Sequence, residues 1–417
     1  MVGRAAPDRR SGGTAGRRDR AGQEPSGRSL CQTLPMRILT VANHLGSRGG
    51  LERTQLAMCR ALAERGHTVD IAYVSAGDFA EDWQSFARQM IRIEGSLPRA
   101  RRPVRTVIGV IRGIVDAVRV RPDVVYVFRP LDIPFAVVVG LLRRAPVVFH
   151  LCLPYQNKQP FVVRWSLRHV ALTLSVSHDT ASLWRDSGLR PTAIEVVHTG
   201  IDMDHYVPAP DEARRTTRDE IGVAPDAFMV LFAGRIEAAK GVDVLVRAFE
   251  LVSSDVPGAR LVIVGAPSLF ADPVDVERYT RELRGIGSSG AILWMEARKD
   301  VVPLIQTADV VVAPSRWAEP FSRSVIEPLA CGVPVVATRV GGNAEILADW
   351  LDEYLVPADD VAALAERIES LNAWRAEDPG LGDRCRDAVR VRLSLDGEVD
   401  AVESALTSLA RTPGPAK

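Results

Sequence analysis

Apolar residues in this chain fall into short unbroken runs separated by stretches with helical spacing, a pattern that predicts buried strands alternating with helices. Arg37-Ile38-Leu39-Thr40-Val41-Ala42 is the first run. The loop Asn43 to Gly50 leads to a helix with Leu56, Cys59, Leu62 and Ala63 at core spacing, stopped by Arg65-Gly66-His67. A strand over Thr68–Val74 completes a β-α-β opening of doubly wound type. Further strands are predicted at Pro122–Val127, Pro146–Phe149, Phe228–Ala233, Ala259–Gly265, Ile292–Glu296, Ala308–Ala313 and Val333–Thr338. The helix after Gly241 is predicted to turn Val244, Leu245, Ala248, Phe249 and Leu251 inward, and the chain from Val361 reads as helical. The fold class is α/β.

A length of 417 residues exceeds what one core usually serves, so two domains are expected. The five cysteines are scattered, odd in number and without a C-x-x-C pair, which supports neither a disulfide framework nor a zinc site and suits reducing cytoplasm. Net charge is zero, yet Met36 to Gly200 carries 22 Lys/Arg against 13 Asp/Glu, and Ile201 to Lys417 carries 23 against 36. The basic first part suits an anionic acceptor or an anionic membrane face. The longest apolar run, Ile133–Leu142, is half of the ~20 residues a spanning helix needs. Residues 1–35 lack an apolar core and read as a disordered tail or as an upstream extension before a start at Met36. Arg99 to Arg121 combines seven arginines with apolar residues at helical spacing; a solvated helix face is the favoured reading there, with interfacial membrane docking as the alternative.

The candidate chemistry sits in the turns that follow strands. Gly49-Gly50 precedes the first helix, where unpaired N–H groups can approach a phosphate, although the loop does not spell G-x-G-x-x-G. Gly234-Arg235-x5-Lys240-Gly241 puts two cations on one loop at a strand's carboxyl end, the place to grip a diphosphate. After the strand at 308–313 comes Pro314-Ser315, then a helix, with Glu319 near the mouth of the turn and Glu327 eight residues on, about two turns down. That separation argues against a shared proton. Cys331-Gly332-Val333-Pro334 and Gly341-Gly342-Asn343-Ala344-Glu345 close the unit.

This ordered set, G-R-x5-K-G, then E-x7-E, then A-x-G-x-P-V and G-G-x-x-E, resembles the nucleotide-sugar site of the retaining glycosyltransferase family 4, whose fold is GT-B, two doubly wound domains facing a cleft. The resemblance covers Met36 to about Ala410, with its specific motifs between Gly234 and Glu345. It implies an acceptor-side domain over residues 36–203, a nucleotide-sugar domain over 204–395, and a last helix and tail at 396–417 that packs back on the first domain. It further implies transfer of a sugar from a UDP-, GDP- or ADP-sugar to a glycan, lipid or small-molecule acceptor, with retained configuration, without a required metal or other cofactor, and without nucleic acid as partner. By the same resemblance Gly49, Gly50 and Gly234 line the donor, Arg235 and Lys240 stabilise the diphosphate, Glu319 meets the sugar hydroxyls beside the backbone of Phe321 and Ser322, and Glu327 binds the ribose. His150, directly after the strand Pro146–Phe149, matches a histidine that faces the sugar. Asp202-Met203-Asp204 spells the metal motif of the other major glycosyltransferase fold, but its setting is that of a linker. Gly265-Ala266-Pro267-Ser268 and Glu296 depart from the family's turns around the base, which leaves the nucleobase open. Two other readings remain: a non-catalytic sugar-nucleotide-binding or coat-like protein on this fold, and a sugar-nucleotide epimerase, for which no acid–base motif is present.

Overall fold

A computed structural model describes residues 34–411 except 47–49, 98–102, 154–158, 188–192, 268–272 and 287–289. Strands β1 (Arg37–Leu45), β2 (Thr68–Ala76), β3 (Gln89–Arg92), β4 (Val124–Val127), β5 (Val147–Leu151), β6 (Leu172–Ser175) and β7 (Ile194–Val196) form one sheet in the order β3-β2-β1-β4-β5-β6-β7. A second sheet holds β8 (Met229–Ala233), β9 (Arg260–Val264), β10 (Ile292–Met295), β11 (Val310–Ala313), β12 (Val335–Thr338) and β13 (Leu355–Val356), ordered β10-β9-β8-β11-β12-β13. Every pairing is parallel. Parallel strands need crossovers, and helices on both faces bury them, which is why these strands are continuous Val, Ile and Leu runs. The two sheets with their interleaved helices are the α/β, doubly wound GT-B architecture.

In each sheet the winding reverses beside the strand that starts it, between β1 and β4 and between β8 and β11. Crossovers leave on opposite faces at such a point, so a crevice opens beyond the carboxyl ends of the adjoining strands. The loops after β8 and after β11 border that crevice in the second lobe.

The chain passes between lobes twice, and the two passages lie side by side: Ile201 N–H donates to Leu393 O and Leu395 N–H donates to Ile201 O. The last helix, Leu395–Arg411, then lies on the first lobe, where Val399, Val402 and Leu406 are fully buried in a cluster with Met36, Leu56, Met58 and Leu62. Arg65 and His67 fasten it through Glu403 at 2.9 and 3.0 Å.

Two predicted details differ. Leu251 is 47% exposed, because the helix Val242–Asp255 faces the sheet with Val244, Leu245, Ala248, Phe249 and Val252 instead. The helix expected after Pro314-Ser315 begins only at Arg323, so Glu327 lies little more than one turn into it and Glu319 stands in the turn before it.

Candidate active site

The loop after β8 folds as a single 3-10 turn, Ala238–Lys240, closed by Gly241 at φ +65°. A Cβ at Gly241 would lie 2.0 Å from Pro314 O, so only glycine lets this loop press against the end of β11. Arg316 fixes it from the other side: its N–H donates to Ala239 O, its guanidinium to Ala238 O at 2.9 Å and to both oxygens of Asp243 at 2.6 and 2.7 Å. Hydrogen bonding to Asp243 raises the Arg316 pKa above its ordinary value, so the clamp stays charged.

The result is the contact that defines the site. Lys240 Nζ reaches Glu319 Oε1 at 2.5 Å, and Ser315 Oγ donates to the same oxygen at 2.6 Å. Glu319 is 6% exposed, and its turn is held by the Gly341-Gly342 loop, where Gly342 N–H donates to Glu319 O at 2.7 Å. A Cβ at Gly341, which has φ +54°, would lie 2.2 Å from that same carbonyl.

Glu327 is separate. It accepts from Tyr206 Oη at 3.0 Å and from Arg323 Nε at 2.8 Å. Burial works against charge on Arg323, but Glu327 and Tyr206 outweigh it and hold its pKa above the ordinary value. Arg323 also faces the first lobe: a Cβ on Gly50, at the start of the helix Gly50–Glu64, would touch its Cδ at 3.5 Å. Gly49, named with Gly50 from the sequence, lies outside the described residues. Gly234, directly after β8, donates its N–H to Val264 O at 3.1 Å.

Arg235 does not join Lys240. Its guanidinium pairs with Glu237 of the same loop at 3.0 Å, with 40% of the side chain exposed. Phe321 stacks on His198 with ring centroids 5.2 Å apart, and Ser322 Oγ meets Ser324 Oγ at 2.9 Å.

His150 requires a correction. Its ring is 0% exposed, bonded at Nδ1 to Tyr126 Oη at 2.5 Å, and its Nε2 faces Glu398 Oε1 of the last helix at 3.9 Å. Fully buried, with Glu398 facing Nε2, the ring sits in the core of the first lobe and not on the cleft surface. Neither Nε2 nor Oε1 has a hydrogen-bond partner among the described residues. Burial pushes the His150 pKa down to about 3 and that of Glu398 up to about 8, although Gly200 N–H, donating to Glu398 Oε2 at 2.8 Å, works against the latter. Both groups are therefore neutral at pH 7.

A second junction links the lobes. Glu345, on the short helix Asn343–Ile346 that follows the Gly-Gly turn of the second lobe, accepts from the N–H groups of His178 and Asp179 at the start of a first-lobe helix, each at 2.9 Å, and from His198 Nε2 at 2.9 Å. Burial opposes its charge, but His198 and those two amides hold its pKa below the ordinary value. His178, His198 and Glu345 place ligand-type atoms within 4.8 Å of one another, the one such grouping found among the described residues. With Glu345 already accepting three bonds, the arrangement works as a clasp between lobes. Asp202, of the D-x-D sequence, spends Oδ1 on the N–H groups of Asp204 and His205, which makes it a turn cap.

Sequence reasoning missed Arg316, Asp243, Tyr206 and Glu398 altogether. Glu345 was visible as the last letter of G-G-x-x-E, but nothing local showed what it reaches.

The family model described as Glycosyl transferases group 1 matches residues 213–384, and that described as Glycosyltransferase Family 4 matches residues 48–205. D-inositol 3-phosphate glycosyltransferases of Mycobacterium bovis and Mycobacterium tuberculosis are 35% identical over 186 residues, which cover 44% of this chain and 37% of the relatives' length. The chain thus matches little more than a third of those relatives. Among solved structures, Anabaena Alr3699/HepE in complex with UDP superposes with a TM-score of 0.76 at 20% identity, covering 90% of this chain and all of that one. Sucrose-phosphate synthase from Thermosynechococcus elongatus gives 0.71 at 19% identity, with 90% and 99% covered. At such identities the likeness is one of fold.

Proposed function

The chain belongs to the glycosyltransferases that those two family models describe, and on that premise we propose that it moves a sugar from a nucleoside-diphosphate sugar to an acceptor held against the first lobe. One observation carries the reading: the cation of the loop after β8 and the acid of the turn after β11 meet at 2.5 Å, in the crevice where this fold binds ligands. A diphosphate entering there takes Lys240 from Glu319. The carboxylate is then free to accept from sugar hydroxyls, which discriminates strongly against donors lacking them.

In the transfer the bond from the anomeric carbon to the β-phosphate oxygen breaks, its electron pair leaving with the nucleoside diphosphate, while the acceptor oxygen bonds to the same carbon and its proton passes to the departing phosphate. Lys240, drawn onto the diphosphate as the donor binds, is in place before the bond breaks and stabilises the charge that grows on that phosphate. Arg235 joins by exchanging Glu237 for phosphate, and Glu327 with Tyr206 holds the ribose. Configuration is retained by attack from the face the diphosphate leaves, and no metal is needed, so turnover is expected to survive chelation with EDTA; its loss would overturn the metal-free reading. The complexes of Anabaena Alr3699/HepE with UDP and UDP-glucose make UDP the first donor nucleotide to try. An anionic acceptor suits the basic first lobe.

A thermal-shift panel of UDP, GDP and ADP tests this. At a hundredfold excess over Kd, a ligand that binds only the folded state adds about 2.7 kcal/mol, enough to raise Tm by several degrees. One nucleotide is expected to do so, the shift to vanish in Lys240→Ala, and turnover to fall about a hundredfold or more in Glu319→Gln. No shift with any nucleotide would favour a protein that keeps the fold without this chemistry.

A further inference from the structure

Eleven of the eighteen exposed large apolar side chains among the described residues lie between Val107 and Trp165. All but Leu131 occupy three helices that pack in sequence, Pro103–Arg119 on Ile133–Arg143 and the latter on Phe161–Ser166. The inner sides of all three are accounted for, since Ala117, Ile133, Phe135, Val163 and their neighbours form a buried cluster on one face of the first sheet. Their outer sides should then be polar, because a helix that packs by one stripe keeps charged groups on the other. They are not: the first helix exposes Ile108 (47%), Ile111 (54%) and Val115 (42%), the second Leu141 (63%) and Leu142 (62%), and the third Phe161 (83%) and Trp165 (45%).

Arginine surrounds this face. Residues 103–169 carry ten Lys/Arg and three Asp/Glu. Of the three acids, Asp116 pairs with Arg119, Asp123 pairs with Arg37, and Asp132 is buried. Arg112, Arg119, Arg144, Arg164 and Arg168 are exposed beside the apolar residues.

We propose that these three helices form one docking surface for an anionic phospholipid bilayer. Apolar side chains enter the boundary between headgroups and acyl chains, Trp165 lies at headgroup level, and the arginines remain among the phosphates. A second copy of the chain fits poorly: a two-fold interface sets each patch against itself, so the arginines would face arginines. The solvated-face reading of this stretch accounts for the arginines and leaves Ile108, Ile111 and Val115 unexplained.

The test is sedimentation of the full chain with vesicles of phosphatidylcholine alone and with about one third phosphatidylglycerol, at about 0.1 M and 0.5 M NaCl. Binding is expected only with phosphatidylglycerol, weakened severalfold by the higher salt. A Leu141→Gln/Phe161→Gln/Trp165→Gln variant should lose at least tenfold in partitioning at unchanged Tm, and Arg112→Glu/Arg144→Glu/Arg164→Glu should lose as much. If the first variant fails to fold, the second together with the salt dependence decides. Absence of binding to the anionic vesicles, or binding that neither variant alters, overturns the proposal. So does a dimer in light scattering that the apolar variant breaks, since the face would then join two copies. Both variants should keep the wild-type Tm response to nucleotide, so loss of this surface and loss of the transferase reading are told apart.

Discussion

Glu398 and His150 show how far a residue's chemistry depends on what is folded over it. Each is an ordinary titratable side chain in the sequence, yet burial leaves both uncharged near neutrality. In the folded chain Glu398 keeps its proton up to about pH 8, against an ordinary value of 4.5. Its contribution to stability is complete below about 4.5 and is lost as pH rises through 8, by at most about 1.4 kcal/mol per pH unit between them. Glu398→Gln has no proton to lose and can still accept from Gly200. Urea denaturation at pH 5, 6, 7 and 8 should therefore show the variant gaining on the natural protein as pH rises, and a difference that stays constant with pH would rule out the buried neutral acid.

Among the elements, those legible in advance were the long apolar runs. Strands β1, β2, β4, β5 and β8 to β12 stand where continuous Val, Ile and Leu stretches put them. Strand β3 was missed because Gln89 and Arg92 bracket two apolar residues, β6 because Thr173 and Ser175 interrupt it, and β13 because it spans two residues. The Gly-Gly turn after β12 was legible as a motif, but its task is non-local: it packs against the backbone of Glu319. Gly341→Ala places a Cβ 2.2 Å from Glu319 O at a positive φ, so the turn carrying Glu319 has to move. A loss of about 2 kcal/mol or more in stability is expected, together with a smaller Tm response to nucleotide. Wild-type values for both would show that the turn yields without moving the acid.

For the molecule as a whole, the Glu345 clasp couples the lobes, since one carboxylate spans from the second lobe to two amides and a histidine of the first. Its depressed pKa means that the stabilisation is present above the ordinary carboxylate range and is lost as pH falls through the folded value, below 4.5. Glu345→Ala should let the lobes part, raising the radius of gyration in small-angle X-ray scattering at pH 7; an unchanged radius would show that the paired passages at Ile201 and Leu393 set the closure alone.

Taken by itself, the sequence determined the local matters: which runs are strands, where glycines end them, and that Lys240 and Glu319 each follow one, because periodicity and turn chemistry are encoded within a few residues. Only the tertiary structure decided that β8 lies beside β11, with β9 and β10 on the far side, which joins a lysine and a glutamate 79 positions apart. It likewise covered His150 with Glu398 and left Arg235 with Glu237. Strand order and helix docking arise from the packing of distant segments, and no spacing along the chain records which distant segment will arrive.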